Sequence, residues 1–147
     1  MNTIFYIVNV EAAIYKQDKW LLATRSMKEK QSAGTLAMVG GKVENIEVEN
    51  HVLEQTLHRE ILEEVGITIY DNMVYVKSSA FVNNDGKYVI DIVFLCQYKE
   101  GEAKPLDPNE LSSVEWLTSH EIEEHQNIES WTKESLLLAE KIRTKKI

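Results

Sequence analysis

The chain is poor in the residues that brace or interrupt a protein: among 147 residues there are one cysteine, two prolines and six glycines. A single cysteine excludes an internal disulfide, which fits a reducing compartment. Cys96 follows the apolar run Val89-Ile90-Asp91-Ile92-Val93-Phe94-Leu95, the setting of a small buried hydrophobe rather than of a nucleophile. Both prolines fall in Lys104-Pro105-Leu106-Asp107-Pro108 and no Pro/Gly-rich linker divides the chain. One domain over residues 1–147 is therefore expected, long enough for a proper core. Positive charge is also scarce, with 16 Lys and Arg against 24 Asp and Glu and a formal net charge of −8. Non-specific binding to a nucleic-acid polymer or an anionic membrane needs a basic field and is not expected. A nucleotide ligand stays open, because a local metal ion inverts the local sign. No apolar run approaches the roughly 20 residues that span a bilayer, and Met1-Asn2-Thr3-Ile4-Phe5 has no basic region or cleavage site. A soluble cytoplasmic protein is the expectation. The four histidines show no zinc spacing with cysteine.

What is present is a globular balance, 44% hydrophobic and 27% charged. Phe5 to Tyr15 reads as a long strand, Gln17-Asp18-Lys19 as a turn, and Trp20 to Ala23 as the returning strand. Residues 26–34 form a polar loop, and Thr35 to Val39 a short strand running into Gly40-Gly41. A helix is predicted from about Asn50 to Val65, with Asn50 or Asn45 as N-cap. Its apolar stripe is Val52, Leu53, Leu57, Ile61 and Val65, and Gly66 takes the C′ position. Ile67 to Val82 is mostly extended, Asn83-Asn84-Asp85-Gly86 is a hairpin turn, and Lys87 to Tyr98 is its partner strand. Val114 to Leu117 is a further strand, Thr118 to Glu124 a capped helical turn, and Ser130 to about Arg143 a closing helix with Trp131, Leu137 and Leu138 facing inward. This order predicts an α/β fold, a mixed sheet between helices in an α/β/α sandwich.

The most informative stretch is Arg59-Glu60-Ile61-Leu62-Glu63-Glu64-Val65-Gly66-Ile67. At about 100° per residue, Glu60 and Glu64 lie about 40° apart and Glu60 and Glu63 about 60° apart. The three carboxylates crowd into an arc of roughly 100°, where like charges repel. A solvated face with an Arg59–Glu63 pair is the ordinary meaning of such a turn. A hard cation that takes oxygen ligands and substrate phosphates is the other. Gly40-Gly41, after a strand and before this helix, permits a sharp turn and a close backbone approach to metal or phosphate.

Together, Met38-Val39-Gly40-Gly41-Lys42-Val43-Glu44 and Arg59 to Ile67 resemble the Nudix box, and the second half matches at every fixed position. The likeness extends through the opening strand pair, Gly34-Thr35-Leu36 and Glu115-Trp116-Leu117 to nearly the whole chain. The first half departs from the pattern: Gly41 to Arg59 is 18 steps (59 − 41), four more than the pattern allows. Counted back from Arg59, the first glutamate of the box is replaced by His51; counted forward from Gly41, the position is Glu47.

The resemblance implies a Nudix-like α/β/α sandwich and a metal-dependent pyrophosphohydrolase. Such an enzyme cleaves a small-molecule diphosphate, a nucleoside triphosphate or nucleotide derivative, by attack of water on phosphorus. It implies that Glu60, Glu63 and Glu64 bind Mg²⁺ or Mn²⁺ with the Gly40 carbonyl, that Glu47 or Glu49 is a further candidate ligand, and that Arg59 orients a helix glutamate. The base in this family is often a carboxylate outside the helix, and Glu110 is the candidate, although an exposed loop acid is its plainer reading. Arg25 and Lys42 are candidate phosphate contacts. Phe5, Tyr6, Phe81 and Tyr88 could stack a base, but strand aromatics more often belong to a core. The alternatives are a Nudix-fold module that binds a nucleotide without cutting it, and an isoprenoid diphosphate isomerase, which Cys96 in a hydrophobic strand does not favour. A homodimer is compatible with the sequence, though no motif calls for one.

Overall fold

Strand β1 (Ile7–Lys16) sets the architecture because its alternate residues serve two cores. Val10, Ala12 and Ile14 pack with Leu57, Ile61 and Val65 of helix α1 (Val52–Val65). Ala13, on the opposite face, packs with Ile122 of α2 (Ser119–Glu124) and with Leu136 and Ala139 of α3 (Ser130–Lys145). A strand whose successive side chains point to opposite faces can do this only if both faces are covered. The result is the expected α/β/α sandwich. The computed structural model describes residues 2–44 and 50–145.

The remaining strands are β2 (Lys19–Arg25), β3 (Leu36–Ala37), β4 (Val39–Lys42), β5 (Thr68–Ile69), β6 (Val74–Val82), β7 (Tyr88–Glu100) and β8 (Leu111–Thr118). The sheet is mixed: β1 runs parallel to β7, with Ile7 opposite Val89 and Tyr15 opposite Gln97. On its other edge β1 is antiparallel to β4 near its start and to β2 at its end. Beyond the hairpin β2 leaves β1, pairing with β3 on one edge and β8 on the other. That divergence lets β4 and the loops around it reach the end of α1. No helix among the described residues is long and apolar enough to cross a membrane.

Helix α1 ends as its sequence dictates. Gly66 adopts a left-handed φ of 74° and returns its N–H to Leu62 O, a conformation that costs glycine little. The proline loop covers the same end, Lys104 N donating to Val65 O and Leu106 N to Glu64 O. At the other end the expected cap is corrected. His51, not Asn50, occupies the N-cap position, left-handed at φ 57° and without a side-chain hydrogen bond. Asn50 O instead accepts from Gln55 Nε2, and Asn45 lies outside the described residues.

Helix α3 is also rotated from its expected phase. Trp131 is 58% exposed and Leu137 41%, while Thr132, Ser135, Leu136 and Ala139 are buried; Leu138 is half-buried. The buried set is a regular i, i+3, i+4, i+7 stripe, and its small side chains bring the helix close to the sheet. Thr and Ser count as polar when a stripe is sought by hydropathy, so the sequence points to the wrong face.

Candidate functional site

The acidic end of α1 lies against β4, and two glycines set how closely. A Cβ on Gly41 would stand 2.5 Å from Glu60 Cδ and 2.7 Å from its Oε2, so the Glu60 carboxylate lies on bare backbone. Gly40 faces the other side of the strand, where a Cβ would be in hard contact with Val10 O. Arg59 Nη1 donates to Glu60 Oε1 at 2.9 Å and stands 3.7 Å from Glu63 Oε2. The i,i+4 pair read from the sequence is therefore present, but the tighter bond goes to Glu60.

Two loops bring further charges to the same end. Asp107 starts a tight turn, accepting from Asn109 N with its side chain and from Glu110 N and Leu111 N with its carbonyl. Glu110 O accepts from Ser26 N, and Lys28 Nζ donates to Asn109 Oδ1, which ties this loop to residues 26–34. Arg25 braces that second loop, donating Nε to Gln31 O at 2.8 Å and Nη2 to Glu29 Oε2 at 3.2 Å. Its guanidinium is thus largely engaged within the protein. Lys42 is exposed at the end of β4. His51 is exposed at the helix start, while Glu47 and Glu49 lie outside the described residues.

The carboxylates press on one another. Burial, then the charges of Glu60 and Glu110, push Glu64 up to about 8, with Arg25 pulling the other way. Burial also holds Glu60 above the ordinary carboxylate range, although Arg59 lowers it. Glu110, exposed by residue, is raised by partial desolvation and then by Asp107 and Glu29, against Arg25. Among the described residues no three His, Cys, Asp or Glu side chains are gathered closely enough to grip a metal ion as they stand, since Arg59 engages both Glu60 and Glu63. The donors nonetheless fit a hard cation in kind. Glu64 Oε2 is buried without a hydrogen-bond partner among the described residues, an expensive state for a carboxylate that a cation relieves.

A pH dependence follows. With Glu64 near 8, a divalent cation must displace a proton from it at neutral pH. Mg²⁺ affinity is expected to rise with pH up to about 8 and then level. Calorimetry at pH 7 in two buffers of different ionisation enthalpy is expected to find proton release of near one per ion bound. Pure Mg²⁺ binding without proton release would remove Glu64 from the ligand set.

On the opposite face of the sheet is a cleft of about 660 Å³. Its floor includes Asn9, Glu11 and Asp91, its rim Arg25, Lys42 and Trp131. None of the three helix glutamates lines it; Arg25 does, and its charge also reaches Glu64 and Glu110. Asn9 Nδ2 donates to Asp91 Oδ1 at 2.7 Å. Glu11 is raised well above the carboxylate range by burial and then by its hydrogen bond to Asp91. Sequence reasoning missed this floor, yet it left a sign: Asn9, Glu11 and Asp91 interrupt otherwise apolar strands. The aromatics expected in the core are not there. Phe5 is 84% exposed and Tyr6, Phe81 and Tyr88 are 43–45% exposed, because the β6–β7 hairpin and the segment before β1 extend past the helices that cover the sheet. Phe81 lines the cleft. Cys96 is buried as expected, and burial pushes its thiol up.

A family model described as NUDIX domain matches residues 6–138. The MutT NUDIX hydrolase from Burkholderia pseudomallei is similar in structure, at 24% identity and TM-score 0.76 over 91% of this chain and 98% of that one. The MutT protein from Methanosarcina mazei Go1 is 24% identical with TM-score 0.75, covering 100% of both chains. A NUDIX hydrolase from Nitrosomonas europaea is 22% identical with TM-score 0.73, over 97% of this chain and 91% of that one. At these identities the likeness is one of fold. No curated protein gives a significant match.

Proposed function

The chain belongs to the NUDIX family and is a hydrolase of phosphoric anhydrides, and from that premise we propose a metal-dependent pyrophosphohydrolase that cleaves the diphosphate linkage of a nucleoside triphosphate or nucleotide derivative in the cytoplasm. Family members generally use divalent metal ions and act on nucleoside diphosphate derivatives; for this chain Mg²⁺ or Mn²⁺ is the proposed ion. The observation that carries the reading is Glu64, a half-buried carboxylate with one oxygen unpartnered among the described residues, beside Glu60 and within the field of Glu110.

In this reading Glu60, Glu63 and Glu64 hold the metal with the Gly40 carbonyl. The ion, when bound, neutralises the diphosphate and lowers the pKa of a water towards neutral. Arg59 fixes Glu60 through its 2.9 Å hydrogen bond and, with Glu63 as its other partner, makes no ion pair with Glu64 among the described residues. Gly41 lets Glu60 approach the strand. Glu110, held on the loop that Asp107 shapes, takes a proton from the attacking water; partial desolvation and its acidic neighbours raise its proton affinity above that of an ordinary carboxylate, which makes it the stronger base. Arg25 and Lys42, at the rim of the cleft, attract the phosphates.

A panel of nucleoside triphosphates, nucleotide sugars, dinucleoside polyphosphates and ADP-ribose, incubated with purified protein and Mg²⁺, tests this. Release of phosphate-bearing products from at least one compound is expected; tight binding of one compound with no turnover of any would identify a sensor. Glu110→Gln is expected to lower kcat about a hundredfold with little change in KM. Unchanged kcat would return Glu110 to an ordinary loop acid.

A further inference from the structure

We propose that Asn84, at the tip of the β6–β7 hairpin, is a positioning residue for Glu110 and acts on it through the loop of residues 26–34. This rests on the reading of Glu110 as base for its catalytic consequence, but not for its geometry. Glu110 is exposed and lies just outside the sheet. The β2–β8 ladder ends with Arg25 opposite Leu111, immediately after a register shift between Thr24 and Arg25. Such irregularities re-aim the chain that follows them. Asp107 closes the Glu110 turn from within, and the hold from outside comes from loop 26–34. Ser26 N donates to Glu110 O at 2.9 Å, and Lys28 Nζ to the adjacent Asn109 Oδ1 at 3.0 Å. Whatever steadies residues 26–28 therefore steadies the backbone from which the Glu110 carboxylate projects.

Hydrogen bonds, not burial, hold the apex of that loop. Ser26 is buried, but Met27 is 78% exposed, and Lys28 and Lys30 are exposed as well. Arg25 braces the apex from its base, Nε donating to Gln31 O at 2.8 Å. Asn84 braces it from another part of the chain, its N donating to Gln31 Oε1 at 2.9 Å and its Nδ2 to Lys30 O at 3.0 Å. The hairpin does not need Asn84 for its own turn. Asn83 builds that turn, its Oδ1 accepting from Asp85 N and Lys87 N, its carbonyl from Gly86 N, and its N donating to Lys87 O. Both Asn84 donors are thus spent on the loop. Two bonds from one residue fix orientation as well as distance, and a displacement of about 1 Å at a reacting group costs on the order of a hundredfold in rate.

Amide exchange and kinetics together test the link. In the metal-free protein, hydrogen exchange at the Ser26 amide, followed by NMR, is expected to quicken about tenfold in the double variant Gln31→Ala/Asn84→Ala. The Lys87 amide, held by Asn83, should keep its rate. With Mg²⁺ and the best-cleaved compound of the substrate panel, the double variant is expected to lower kcat about tenfold at unchanged KM. Gln31→Glu retains an acceptor for Asn84 N and should retain kcat. In a Glu110→Gln background the double substitution should cost nothing further, because the group it positions is gone. Gln31 and Asn84 also line the cleft, and a direct ligand contact would instead raise KM. Unchanged Ser26 exchange, a raised KM at constant kcat, or an undiminished loss of kcat beside Glu110→Gln overturns the proposal. Faster Ser26 exchange with Glu110→Gln fully active would remove the base reading alone; kcat lost in Glu110→Gln but intact in the double variant would remove this inference alone.

Discussion

Replacing Glu64 with glutamine is expected to lower turnover by about three orders of magnitude, the effect of losing several kcal/mol of metal-borne stabilisation. The fold should survive, and at high pH it should gain. Burial and the neighbouring acids raise Glu64 from 4.5 to about 8 in the folded chain. Between those values the folded state holds a proton that the unfolded state has lost, so stability falls as pH rises through the window and is level above it. Glutamine keeps the shape and removes the charge. Glu64 is half-buried and partly screened, so the metal-free variant should exceed the parent at pH 9 by about 2 kcal/mol, or roughly 5 °C in Tm, and match it at pH 4. Thermal unfolding at the two pH values, with turnover measured on the same samples, checks both halves. Near-full activity in the variant would sink the metal assignment.

The adjacent glycines should separate fold from function. In Gly40→Ala the new Cβ meets Val10 O and stands 2.8 Å from Glu11 Cα, backbone atoms that cannot swing aside. The β1–β4 pairing must open, and a loss of about 3 kcal/mol, near 10 °C in Tm, is expected. In Gly41→Ala the clash is with Glu60 Cδ at 2.5 Å and Cγ at 2.7 Å, the movable end of a side chain. That substitution should cost only about 1 kcal/mol, yet drive Glu60 from its place and lower turnover about a hundredfold. Equal stability losses in the two, or full activity in Gly41→Ala, would show that the cradle does not position Glu60.

Helix α1 was legible because local signals agreed: an apolar stripe at helical period, three acids on the adjoining arc and Gly66 at the stop. The hairpin at Asn83–Gly86 and the capped turn from Thr118 to Glu124 were legible for the same reason, and the structure closes the latter with a capping box of Thr118 and Glu121. What escaped depends on residues far apart in sequence. Asn9 and Asp91 meet only because β1 and β7 pair in parallel register. Trp131 reaches the cleft rim only because Thr132, Ser135 and Ala139 turn the small face of α3 to the sheet. The exposed N-cap at His51 could not be read from propensity, which favours the neighbouring Asn50. Of the candidate site, the residue types and the Arg59–Glu63 pair were readable, whereas the loops that bring Glu29 and Glu110 to bear on Glu64 are tertiary.

Hydrolysis in ¹⁸O-labelled water tests the central claim most directly. With Mg²⁺ or Mn²⁺ present, one labelled oxygen per turnover is expected in a phosphate group of a product, with no turnover in EDTA and almost none in Glu64→Gln. Tight binding of a nucleotide with no label transferred to any product would contradict it and leave a binding module in place of an enzyme.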